Sequence, residues 1–333
     1  MHSKDLVIEA SNVSKRFKTY ENKKGTLSFL RRRFYYKQAL DNVSFNVSRG
    51  EIVALLGRNG SGKSTMIKLM SGILHPDSGT IRVLGMDPWK ERIKLAMHIS
   101  VIFGATHPQL FWDLPPIDTF EYIRELYGID KRLFKKRLSE MIKLLGVKNV
   151  YKRQTRQLSL GERMKCEFVA AMLNMPEVVF MDEPTIGVDL PSRIAIRNAV
   201  VRLRKELNTT FVLTTHVVDD ISNADRIILL DKGHKLFDGT QHKLKKRFGK
   251  YAVLELYSNT NNYLEKYSHI GRVLEKEGNY IKMAVDPKMV KSESFTRIFS
   301  DPKIIDYRLS EPGLSSILEN LYARIDKRRS LNE

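Results

Sequence analysis

The chemistry of this chain is concentrated in Gly57-Arg58-Asn59-Gly60-Ser61-Gly62-Lys63-Ser64, which has the phosphate-cradling spacing G-x-x-x-x-G-K-[ST]. Glycines let such a loop turn tightly and bring backbone N–H groups against phosphate oxygens. A helix that opens at Thr65 adds positive potential at its N-terminus. Lys63 has the reach for β- and γ-phosphates, and the Ser64 hydroxyl suits Mg²⁺. The molecule these groups describe is a nucleoside triphosphate. Further along, Val178-Val179-Phe180-Met181-Asp182-Glu183 is an apolar run ending in two carboxylates. Asp182 is suited to organise Mg²⁺ and its waters, and Glu183 to polarise an attacking water. His216 closes another such run, Phe211–Thr215, and Leu158-Ser159-Leu160-Gly161-Glu162 reads by itself as a helix cap.

These groups need elements to hold them. Ile52–Leu56 reads as a buried parallel strand leading into the glycine loop, and a short helix follows to about Leu74. Buried strands recur at Ile99–Phe103, Val178–Met181, Phe211–Thr215 and Ile227–Leu230, with a helix from about Pro191 to Leu207. Alternating strands and helices predict a doubly wound parallel sheet. Leu6–Ala10 and Val43–Val47 read as further strands, separated by an insertion at 18–38 rich in Lys, Arg, Phe and Tyr. Lys131–Leu145 places Phe134, Leu138, Met141, Ile142 and Leu145 on one helical face, stopped by Gly146. After residue 247 the pattern becomes βαββαβ with a closing helix, as in a ferredoxin-like α+β domain. The expected domains are therefore 1–247 and 248–333.

In their order and gaps, the chemical segments closely resemble the ATP-binding-cassette (ABC) ATPases. GRNGSGKST is similar to that family's Walker A, LSLGE to its signature LSGGQ, and VVFMDEP to Walker B with the catalytic glutamate. GVD, ending at Asp189, is similar to the D-loop, and His216 to the switch histidine. The resemblance runs over about residues 4–245. It implies a P-loop NTPase core with an antiparallel β subdomain and a helical subdomain at about 104–165. ATP and Mg²⁺ are the implied cofactors. Gly57, Asn59, Gly60, Ser61, Gly62, Lys63, Ser64 and Thr65 would hold the nucleotide, and Ser64 and Asp182 the metal. Lys63, Glu183 and His216 would be catalytic. The resemblance also implies a head-to-tail dimer of cassettes. Ser159, Gly161 and Asp189 of one cassette would complete the ATP site of the other. Phe17 resembles the adenine-stacking aromatic, with Tyr20 a weaker candidate.

Two departures stand out. Leu160 and Glu162 replace a glycine and a glutamine of the signature. The glutamine expected directly after Phe103 is absent, and Gly104-Ala105-Thr106-His107-Pro108 stands there instead. Either Gln109 reaches the metal from a lengthened loop, or His107 or a water takes the role.

Composition narrows the setting. The 333 residues carry a formal charge of +19. Residues 15–37 hold nine Lys and Arg against Glu21, and residues 131–165 hold twelve against Glu140 and Glu162. Such blocks favour an anionic partner. The sequence lacks a signal-peptide core and any apolar stretch of the ~20 residues needed to span a bilayer. One cysteine, Cys166, excludes an internal disulfide framework and reads as a small buried apolar residue.

The reading is the ATPase subunit of an ABC membrane exporter, peripheral at the cytoplasmic face of the cell membrane. Its expected partners are integral membrane permease subunits and a second cassette, as a homodimer. The basic-aromatic insertion suits an anionic membrane surface. Phe111, Trp112, Leu114, Pro115 and Pro116, beside the lengthened loop, are either part of a permease dock or core of the helical subdomain. The alternative is a soluble ABC ATPase acting on ribosomes or nucleic acid, favoured by the charge. Against it, translation-type members carry two cassettes and repair-type members a long coiled coil, so no nucleic-acid partner is expected.

Overall fold

The computed structural model describes residues 5–20, 34–104, 109–215, 221–288 and 293–330, in two compact units, Met1–Asp238 and Gly239–Glu333. In the first unit, Leu6–Tyr20 (β1) pairs antiparallel with Phe34–Ser48 (β2). Next come Ile52–Leu56 (β3), Lys63–Met70 (α1), Ser78–Val83 (β4), Arg92–Ala96 (α2), Ile99–Phe103 (β5), Pro116–Leu126 (α3) and Lys131–Leu145 (α4). Leu160–Met172 (α5), Val178–Asp182 (β6), Leu190–Leu207 (α6), Thr210–Thr215 (β7), Arg226–Asp231 (β8) and His234–Gly239 (β9) complete it.

β3, β5, β6, β7 and β8 form the parallel part of a six-stranded sheet, ordered β5-β6-β7-β3-β8-β9. β3 is apolar throughout because both faces are covered; every residue of β3 and β7 is buried, the threonines of β7 included. A second sheet, β2-β1-β4, shares a core with the first. Val13, Leu40 and Phe45 from one, and Val53, Phe180 and Val212 from the other, belong to one cluster with Met66 and Ile67 of α1. The order places the carboxyl ends of β3 and β6, which carry the glycine loop and the carboxylate pair, on either side of β7. That is the crevice where open α/β sheets bind ligands.

The expected insertion is not a separate element at its ends. Lys18, Thr19 and Tyr20 pair with Tyr36, Tyr35 and Phe34, so both strands run on as a two-stranded ribbon. Sequence patterning missed this because neither strand buries a face there, and the apolar/polar alternation fades. α4 matches its expected bounds. Asp130 caps it by accepting from the N–H groups of Arg132 and Leu133, and Gly146 ends it in the left-handed region. Its buried Phe134, Leu138, Met141 and Leu145 contribute ~1.5–3 kcal/mol each.

The second unit opens with Gln241–Phe248 (α7), so the division falls at 238/239, ahead of the expected 247/248. Ala252–Ser258 (β10), Arg272–Glu277 (β11), Tyr280–Val285 (β12), Glu293–Phe299 (α8), Ile304–Ser310 (β13) and Leu314–Ser330 (α9) follow. The sheet is antiparallel in the order β11-β12-β10-β13, the ferredoxin-like arrangement. Its first expected helix is a 3₁₀ turn at Tyr263–Tyr267. Asp301 holds that turn, accepting from the Tyr263 hydroxyl at 2.8 Å and Lys266 Nζ at 2.8 Å.

Candidate functional site

The glycine loop leaves β3 and runs into α1, as its sequence predicts. Gly62 is the N-cap of α1 at φ +106°, and a Cβ there would lie 2.5 Å from the Ala39 carbonyl oxygen. Only glycine satisfies both conditions. Lys63 is 4% exposed; its Nζ donates to the carbonyls of Gly57 at 2.7 Å and Arg58 at 3.1 Å, and stands 3.6 Å from Glu183 Oε1. Burial lowers its pKa, and the Glu183 carboxylate opposes that shift.

Asp182 ends β6. Its Oδ1 accepts from Ser64 Oγ at 2.9 Å and from Thr214 Oγ1 at 2.7 Å. Thr214, buried on β7, also accepts the Glu183 N–H at 2.9 Å. Glu183 itself adopts φ +50°, a left-handed conformation costly for a non-glycine residue. The sharp bend delivers its carboxylate to Lys63 although it is adjacent in sequence to Asp182.

A cavity of about 410 Å³ opens over these groups. Residues 59–65, Glu183, Phe17, Lys37, Gln38 and Ala39 line it. The residues fit a bound triphosphate and Mg²⁺. Among the described residues the Ser61 hydroxyl is buried with no hydrogen-bond partner, and Lys63 Nζ bonds two loop carbonyls beside the Glu183 carboxylate. Ser64 and Asp182 present hard oxygen donors, and Mg²⁺ takes one or two carboxylates with substrate phosphates.

Other expected residues lie outside this cleft. Ser159 caps α5 in a capping box with Glu162: Ser159 N–H donates to Glu162 Oε2 at 2.9 Å, and Glu162 N–H to Ser159 Oγ at 3.2 Å. Glu162, the departure from glutamine, thus finishes the cap. Gly161 packs on the N-terminus of α6, where a Cβ would meet Asp189 Oδ2 at 2.0 Å. Asp189 accepts from Ser192 N–H at 2.9 Å, which holds its carboxyl below the usual range. Leu160, the other departure, lies near Gly187, 3.1 Å from where a Cβ would sit.

Gln109 stands apart from the cleft. Its Nε2 donates to the Val101 carbonyl at 2.6 Å, and it lines a separate groove of about 310 Å³ with Ile73, Ile123, Leu126 and Tyr127. Its side-chain amide is thus engaged at β5, and it is not among the residues that line the cleft around Lys63. His216 and His107 lie outside the described residues. Sequence reasoning missed Thr214, Lys37 and Gln38. A threonine inside an apolar strand, before the histidine, was the available signal for the first. Cys166 is fully buried, and burial pushes its thiol up to about 12.

Residues 40–186 match the family model described as ABC transporter. The span holds the glycine loop, the signature segment and both carboxylates, and ends before Asp189. The chain is 31% identical over 225 residues to the daunorubicin resistance ATP-binding protein DrrA3 of Streptomyces coeruleorubidus, covering 67% of this chain and 70% of that one. It is 29% identical over 224 residues to the ABC transporter ATP-binding protein NatA of Bacillus subtilis, covering 66% and 90%. Among solved structures, cbiO1 of Clostridium perfringens, part of the ABC transporter complex cbiONQ, superposes with a TM-score of 0.60 at 25% identity, covering 73% and 91%. The chain belongs to the ABC transporter family and is an ATP-binding, ATP-hydrolysing subunit of an ABC transporter.

Proposed function

We propose that this subunit powers an exporter by ATP-driven pairing of two copies of its cassette. The observation that carries the reading is a division of labour. Lys63, Ser64, Asp182 and Glu183 meet in one cleft, while Ser159, Gly161 and Asp189 gather at the N-termini of α5 and α6, outside it. A second copy would bring the latter group over the former. There, exposed Ser159 and the backbone N–H groups at the start of α5 meet an incoming γ-phosphate.

In this reading Lys63 neutralises phosphate charge, and residues 57–65 supply backbone donors. Phe17 offers an aromatic face to the base. Ser64 and Asp182 would hold Mg²⁺, which when bound would supply positive charge against the phosphates. Glu183 takes a proton from the attacking water, and His216 positions that water. Thr214 keeps both carboxylates in register by bonding the Asp182 side chain and the Glu183 backbone.

Among the described residues, no helix is long and apolar enough to cross a membrane. The membrane path therefore belongs to permease subunits in this reading. The groove lined by Ile73, Gln109 and Leu126, beside exposed Phe111, Trp112 and Leu114, supports docking of a permease helix there. Phe111 and Trp112 are 39% and 49% exposed, which favours the dock over the core for that segment. The ribbon of β1 and β2 supports contact with anionic lipid at the cytoplasmic face. It exposes Tyr20, Phe34, Tyr35 and Tyr36, with Lys18 Nζ 4.0 Å from the Phe34 ring centre. Export, rather than import, rests on the relative named for daunorubicin resistance.

The test is a tagged pull-down from detergent-solubilised membranes with a high-salt wash. A polytopic membrane protein retained in stoichiometric amount supports the reading. Recovery with RNA or ribosomes alone would overturn it.

A further inference from the structure

The second unit ends its sheet on a strand whose sequence matches itself. Among the described residues of that unit, β13 is bonded to β10 alone. Ile305 to Leu309 are all exposed, with Ile305 at 63% and Tyr307 at 49%. Tyr307 is held by stacking on Phe299, ring centres 4.2 Å apart. An apolar edge strand of this kind is a template for another strand.

The charges across the sheet specify which strand. Glu275 of β11 stands opposite Lys282 of β12, Lys282 opposite Glu255 of β10, and Glu255 opposite Arg308 of β13. Lys282 Nζ lies 3.7 Å from Glu255 Oε1. The row alternates in sign and ends on a cation at the free edge, so a carboxylate belongs next. When a sheet continues across a two-fold axis with its faces preserved, the axis passes through a residue, because opposed side chains share a face. Centring on Asp306 or on Arg308 would oppose like charges. The register on β10 shifts at Ile305, leaving Asp306–Ser310 as the regular stretch, and centring on Tyr307 sets Asp306 against Arg308 twice and Tyr307 against Tyr307.

We infer that β13 pairs antiparallel with β13 of a second copy of this chain, centred on Tyr307, as an isologous contact that needs no nucleotide. It goes beyond the cassette pairing proposed above, which ATP drives through the other unit.

Sedimentation of the nucleotide-free full chain tests it, and a reversible dimer is expected. Asp306→Arg and Arg308→Asp, each alone, should weaken that dimer at least about tenfold, since each opposes like charges twice. An equimolar mixture of the two variants should recover it, because only the mixed pair opposes unlike charges at both positions. Tyr307→Cys should form a disulfide-linked dimer on oxidation, since Cα atoms across an antiparallel pair lie about 4.5–5.5 Å apart. Buried Cys166 is the chain's one native thiol and gives the background for that reaction. A nucleotide-free chain that stays monomeric to about 100 μM overturns the proposal. So do variants that dimerise like the parent, a mixture that stays monomeric, or Tyr307→Cys without cross-linking. Adding ATP to each charge variant in the Glu183→Gln background separates the two contacts. A dimer restored by ATP there means the chain is folded and only the strand contact is lost.

Discussion

Thr214 Oγ1 donates a 2.7 Å hydrogen bond to Asp182 Oδ1 from the neighbouring strand, and the same oxygen accepts the N–H of Glu183. One buried hydroxyl therefore sets the side chain of one carboxylate and the backbone of the next. Thr214→Val keeps the shape and removes both bonds. It should cost ~1–2 kcal/mol of stability by denaturant unfolding. In steady-state kinetics kcat should fall while the dissociation constant for ATP changes little, because the cleft residues remain. Thr214→Ser should restore kcat.

Glu183→Gln removes the base without removing bulk. Turnover should fall by ~10²–10⁴-fold, with nucleotide binding retained. Its ATP-bound form should accumulate as a dimer on size-exclusion chromatography. Normal hydrolysis by this variant would show that another group takes the proton.

Gly161→Ala introduces a methyl group 2.0 Å from Asp189 Oδ2 and 2.5 Å from Ser192 Oγ. Alanine is the better helix former by about 1 kcal/mol, but forced overlap in a packed site costs ~1–3 kcal/mol. The melting temperature should therefore drop. Binding of a single ATP analogue in the Lys63 cleft should be unaffected, while turnover that needs the paired cassette should fall.

Glu167, on α5, is fully buried. Burial pushes its carboxyl up to about 7, against the pull of Arg163 and the Gln109 backbone N–H. The folded chain then binds a proton that the unfolded chain has released between pH 4.5 and about 7. Its contribution to stability is thus greatest below that window and is lost as pH rises through it. Glu167→Gln has no such titration. Its stability relative to the parent should improve from pH 5 to pH 8 by up to roughly 3 kcal/mol, measured by urea unfolding at each pH. A constant difference across that range would refute the buried titration.

The sequence by itself determined the glycine loop, the carboxylate pair, the capped α5 and α4, and the alternation that makes the parallel sheet. All of these are local: a cap, a periodicity or a loop reaches only a few residues along the chain. Only the tertiary structure decided what meets across the chain. Thr214 joins Asp182 from a separate strand, and Gly161 is pressed against Asp189 by the packing of α5 and α6. Gln109 is carried to the Val101 carbonyl and away from the cleft. The ends of the 18–38 segment are ribbon because β1 and β2 pair there without a buried face to mark them. In the second unit the charge row Glu275, Lys282, Glu255 and Arg308 exists only once four strands are in register. Through-space neighbours depend on topology and register, and neither is encoded in the spacing of any one segment.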